Sequence, residues 1–88
     1  MAKDLLYIVH EKCVHNYETR WEDYHAYSNK EIAAGKMEEI KSQDMMPIVE
    51  EENYEITCDE PNRFEARNKY SGEKGFVLVK IITTPLEA

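Results

Sequence analysis

The run "FVLVKIITT" (Phe76–Thr84) decides the fold. Phe76, Leu78 and Ile82 alternate with Val77, Val79 and Ile81, so both faces are apolar except at Lys80. Such a run reads as a central strand, covered by a helix on one side. The chain has 88 residues, which suits one domain over residues 1–88 with one modest core.

The helix that covers this strand is "SNKEIAAGKMEEIKSQ" (28–43). Ser28 and Glu31 form an S-x-x-E capping box, in which each side chain serves the other's backbone N–H. Ile32, Ala33, Met37 and Ile40 fall on one stripe. Gly35 costs about 1 kcal/mol in mid-helix, and close packing of Ala33 and Gly35 on the sheet is a reason to keep it. Pro47 forbids continuation, and Met45, Met46, Ile48 and Val49 then pack as a lid at the sheet edge.

Two strands precede the helix. "DLLYIVHEKCV" (4–14) is rich in β formers, and "TRWEDYHAY" (19–27) alternates around three aromatics. The short "HNYE" joins them as a hairpin loop. Centring the loop on Tyr17–Glu18 sets Lys12 opposite Asp23, His10 opposite His25, Val14 opposite Trp21 and Ile8 opposite Tyr27. It also sets Cys13 opposite Glu22 and Val9 opposite Ala26. After the helix, "NYEITCDE" (53–60) alternates Tyr54, Ile56 and Cys58 with Glu55, Thr57 and Asp59, as a half-buried strand does. "RFEARNKY" (63–70) reads as a strand in preference to a short helix. "SGEKG" (71–75) then turns the chain with two glycines available for positive φ. The expected fold is α+β. One main helix lies on an antiparallel or mixed sheet of four to five strands in two layers, ββα followed by ββ or βββ.

The net charge is −7, and its source is local. Between Glu38 and Glu60 there are nine acids and one base, Lys41, which sum to −8; the remaining residues sum to +1. Phosphate backbones are repelled by such a window, so direct nucleic-acid binding is not expected, and a basic partner is favoured. No apolar run is long enough to span a bilayer, and "MAKDLL" lacks the pattern of a signal peptide. The expected compartment is the cytoplasm. Cys13 and Cys58 are then free thiols. The terminal "LEA" (86–88) is set aside as a tag remnant.

"YIVHEKC…WEDYHAYSNKEIAAGKMEEIK" resembles a pattern of small hypothetical proteins of bacteriophages and prophages. Tyr27, Ser28, Glu31, Ala33, Met37 and Ile40 carry the resemblance, over about half of the chain. These are a cap, a small contact residue and a core stripe, so no catalytic residue follows from them. Residues 44–72 depart from that pattern, as an insertion would, and hold most of the acidic block. The resemblance implies a phage-encoded protein that works in the host cytoplasm by binding and redirecting a host protein.

The soft ligands of the first hairpin invite a metal or thiol reading that uses His10, Cys13, His15, His25 and Cys58. Structural zinc wants four converging Cys or His ligands. Strand parity instead sends Cys13 and His15 to one face and His10 to the other. Cys58 joins Cys13 only if the third strand lies beside the first. Cys13 near His15 and Glu22 resembles a nucleophile with its base, but no helix N-terminus or glycine-rich oxyanion turn adjoins it. Phosphate-loop, dinucleotide and H-E-x-x-H motifs are absent from the sequence. No catalysis and no cofactor is expected.

The acidic block has a bland reading, a solvated surface that keeps a small protein apart from its neighbours. The sharper reading is a recognition surface. Glu50, Glu51, Glu52, Glu55, Asp59 and Glu60 surround Tyr54, and Trp21 is a hot-spot candidate if exposed. Such a surface docks into a basic groove of a host factor, as an inhibitor or DNA mimic does. Arg63, Arg67, Lys69 and Lys74 form a basic cluster that could neutralise the block within the chain or across a dimer. An edge-paired homodimer with a structural role is a third reading.

Overall fold

A computed structural model describes residues 5–85. The expected first residue of the opening strand, Asp4, and the expected remnant, residues 86–88, lie outside the described residues. The elements run β1 (Leu5–His15), β2 (Glu18–Tyr27), α1 (Lys30–Ile40), a π-helical turn (Lys41–Met45), α2 (Met46–Glu52), β3 (Glu55–Glu60), β4 (Arg63–Arg67) and β5 (Gly75–Pro85). The five strands form one antiparallel sheet in the order β2-β1-β5-β4-β3, so the Phe76–Thr84 run is central as its composition demands. The fold is a two-layer α+β domain.

One sheet face is helix-covered. Val9 and Cys13 of β1, Phe64 and Ala66 of β4, and Val77 and Val79 of β5 are buried there against Ala33, Met37, Ile40, Met45 and Val49. Each larger side chain fully buried in this way is worth about 1.5–3 kcal/mol. Ile32, expected in the stripe, is 56% exposed. Gly35 is exposed, and a Cβ there would meet nothing within 4 Å beyond its own helix, so close packing is not its reason. The N-cap is Asn29, one residue past the expected Ser28, and its Oδ1 accepts from the Ile32 N–H at 3.1 Å. Amide and hydroxyl oxygens cap equally well, and the chain uses the one at its last extended residue.

Pro47 does not stop the helical segment. The π-helical turn ends with the Met46 N–H bonded to the Lys41 carbonyl, and Pro47 falls in the first turn of α2. There its missing N–H matters least. The segment ends instead at Asn53, in left-handed conformation with φ 54°. Met45 and Val49 therefore lie in the core and not in an edge lid.

The first hairpin is one residue out of the expected register. Asn16 and Tyr17 both have positive φ, 56° and 67°, and form a two-residue turn between His15 and Glu18. A bulge at Arg20 then shifts the pairing. Lys12 lies opposite Glu22, His10 opposite Tyr24, Val14 opposite Thr19, Ile8 opposite Ala26, Cys13 opposite Trp21 and Val9 opposite His25.

A second bulge breaks the alternation of β3. Ile56 opposes Ala66 on the helix side and Cys58 opposes Glu65 on the other, with Thr57 extra. β3 is consequently a mostly exposed edge strand, not a half-buried one. Residues 63–67 are a strand as expected. The turn before β5 uses no positive-φ glycine. Gly75 serves a different need: the Tyr54 hydroxyl occupies the space that a Cβ at 75 would fill.

Candidate functional site

The hairpin and the acidic segment meet in one cleft. Cys13 and His15 of β1, Arg20 and Trp21 of β2, and Ile48, Glu51, Glu52 and Tyr54 line a volume of about 170 Å³. A neighbouring hollow of about 150 Å³ shares His15, Glu52 and Tyr54 and adds Lys74 and Gly75. The helical segment makes this meeting possible. Because it continues past Pro47, α2 carries Glu51 and Glu52 back over the sheet end where the hairpin turns.

The cleft holds no activated nucleophile. Burial pushes the Cys13 thiol up, and the Arg20 guanidinium only partly opposes this. Burial also raises the Tyr54 phenol, helped by the Glu52 carboxylate and by Cys13. Both groups stay protonated near neutral pH, and a protonated thiol is a poor attacker. Arg20 and His15 on one wall and Glu51 and Glu52 on the other offer hydrogen bonds and charges for binding.

The other hairpin candidates lie apart. His10 sits on the face away from the helices, stacked on Tyr24 with ring centroids 4.3 Å apart and planes 3° off parallel. Its Nε2 lies 2.8 Å from the Glu22 carboxylate, and this hydrogen bond holds Glu22 below the usual carboxylate range. His25 lies on the helix-covered face, 2.9 Å from Glu11. Cys58 is on the edge strand, three strand spacings or about 14 Å from β1, and the two cysteines are not adjacent. Among the described residues, no three His, Cys, Asp or Glu side chains converge as metal ligands.

Two buried carboxylates went unmarked in the sequence reading. Glu11 accepts from Trp21 Nε1 at 2.9 Å and pairs with His25. Its position was available from parity, in line with Val9 and Cys13. Glu65 is gripped by Arg63 at 3.3 Å and by Arg67, whose guanidinium also lies 4.5 Å over the Phe76 ring. Within the chain the two arginines thus pair with Glu65 and not with the acidic block, and Lys69 and Lys74 make no ion pair among the described residues.

The block itself is a surface. All nine acids between Glu38 and Glu60 are exposed. Among the described residues, Asp59 pairs with Lys41 at 2.7 Å and Glu39 with Lys36 at 3.9 Å, and the other seven have no cation within ion-pair reach. Lys41 also lies 5.1 Å over the Phe64 ring, which fixes the π-helical turn above β4 and beside β3. The hydrogen bond that Lys41 donates to the Asp59 carboxylate raises the Lys41 ammonium, so this cation stays charged. Glu51 and Glu52 line the cleft beside the first hairpin, whereas Glu55, Asp59 and Glu60 lie on the β3 edge.

No helix among the described residues is long and apolar enough to cross a membrane. Compared with protein-family models, curated proteins and solved structures, the chain matches none.

Proposed function

We propose that this protein is a non-enzymatic interaction module that docks a basic surface of a partner protein onto the exposed carboxylates of residues 38–60. The observation that carries this reading is the set of seven exposed carboxylates between Glu38 and Glu60 that have no cationic partner among the described residues. An uncompensated field of one sign steers an oppositely charged partner and speeds encounter. Tyr54 is buried in the core and not displayed among the acids as expected, so the half-buried Trp21 is the aromatic that the cleft offers a partner. The resemblance of the first half to phage proteins makes a host factor in the host cytoplasm the partner of choice.

The test is charge reversal. Glu50→Lys, Glu51→Lys and Glu52→Lys together, on exposed helix positions, are expected to leave the fold intact and abolish capture of a basic partner from host lysate. Capture unchanged by the triple reversal contradicts the proposal.

A further inference from the structure

The two sheet edges are not alike. β3 carries the features that discourage pairing: six residues, a bulge at Thr57, and the charges of Glu55, Asp59 and Glu60. β2 has ten residues and neither proline nor lysine. Its bulge is confined to its start, and from Trp21 to Tyr27 it runs in unbroken register against Cys13 to Tyr7. The outer side of this stretch has no partner strand among the described residues. Long, regular edges of this kind accept another strand.

We infer that the strand is a second copy of β2, joined about a two-fold axis through Tyr24. Side-chain faces and outward backbone groups both alternate with period two. An antiparallel self-pair must therefore be centred on a residue. Centring on Glu22 or Asp23 sets like charges against each other. Centring on Trp21 runs the pair into the bulge at Arg20. Centring on His25 sets that imidazole against itself and Asp23 against Tyr27. Centring on Tyr24 sets Asp23 opposite His25 and Trp21 opposite Tyr27, each twice, with Glu22 opposite Ala26.

The local structure suits this register. Asp23 is exposed and makes no ion pair within its own chain among the described residues. Trp21 and Tyr27 are half-buried against the core, and their open sides meet across the axis. Tyr24 is 62% exposed at the axis itself. Aromatic cross-strand pairs each add about 0.2–1 kcal/mol, and the opposition of Asp23 and His25 sets no carboxylate against another. The product is a continuous ten-stranded sheet with both helical layers on one side. This inference does not rest on the docking reading, because it uses the backbone edge of β2 and none of the carboxylates of residues 38–60, although Trp21 also lines the cleft.

Oxidative cross-linking in a Cys58→Ser background tests it. Directly opposed residues have Cα atoms about 4.5–5.5 Å apart, within disulfide reach. Tyr24→Cys is expected to form a covalent dimer. Glu22→Cys and Ala26→Cys are expected to cross-link when mixed and not alone. This mixed pair leaves the Tyr24–His10 stack intact, so the test survives if Tyr24→Cys fails to fold. Sedimentation of the wild-type chain is expected to show a concentration-dependent dimer that Asp23→Lys weakens at least tenfold. A wild-type chain that stays monomeric to millimolar concentration overturns the inference. So does mixed Glu22→Cys and Ala26→Cys protein that cross-links no better than an Ile56→Cys control on β3.

Discussion

The indole Nε1 of Trp21 donates to the carboxylate of Glu11 across 2.9 Å, on the helix-covered face of the sheet. The second oxygen of that carboxylate meets His25 Nε2 at the same distance. A buried acid persists in a core only when its oxygens are served. Glu11→Ala is therefore expected to cost about 2–3 kcal/mol, because it leaves an indole N–H and an imidazole without their acceptor. Urea denaturation measures this, and Glu11→Gln is expected to lie between wild type and alanine. A loss below about 0.5 kcal/mol for the alanine variant contradicts the network.

Gly75 and Tyr54 are expected to be energetically coupled. Gly75→Ala forces the Tyr54 hydroxyl from its place against the strand, an overpacking cost of about 1–3 kcal/mol. Tyr54→Phe removes the obstructing oxygen. The double variant is expected to be more stable than the sum of the single losses predicts, by at least about 0.5 kcal/mol. Simple additivity in the double-mutant cycle would place the Tyr54 hydroxyl elsewhere.

Pro47 is expected to be a passenger of the helical segment and not its terminator. Pro47→Ala is expected to leave far-ultraviolet helicity unchanged and to alter stability by less than about 1 kcal/mol. A clear gain in helicity on substitution contradicts a segment that already runs through Pro47 to Glu52.

The two thiols are expected to react at very different rates. Cys13 is buried and its thiol is shifted up, so little thiolate forms near pH 8, whereas Cys58 is half-exposed. A disulfide reagent at that pH is expected to titrate one thiol quickly in the native protein. Cys58→Ser is expected to remove that fast phase. A fast phase that survives in Cys58→Ser would mean that Cys13 is open to solvent.

The central strand was legible because apolar residues occupy both of its faces along Phe76–Thr84, and Arg63–Arg67 was legible from its alternating side-chain chemistry although Glu65 is itself buried. The hairpin register was not legible, because it depends on Tyr17 adopting a left-handed conformation. Bulky residues seldom do so, and the adjacent Asn16, a residue type that favours that conformation, marks only the first of the two turn positions. A further residue, Arg20, then enters the bulge. Pro47 was misread for a related reason: a proline that ends one helix and a proline in the first turn of the next look alike in sequence, and the π-helical turn that distinguishes them has no compositional mark. The cleft followed from that misreading. Only a helical segment that passes Pro47 carries Glu51 and Glu52 back toward Cys13, His15 and Trp21, residues that are some thirty to forty positions away in the chain.

The central claim is that the exposed carboxylates of residues 38–60 recruit a basic partner, and the salt dependence of association tests it most directly. With a captured partner immobilised, the association rate is expected to fall at least about tenfold between 50 and 500 mM salt, as steered encounters do. It is expected to fall by a similar factor at low salt in the Glu50→Lys, Glu51→Lys, Glu52→Lys variant. An association rate that stays constant across that salt range, or that the triple reversal leaves unchanged, contradicts the account.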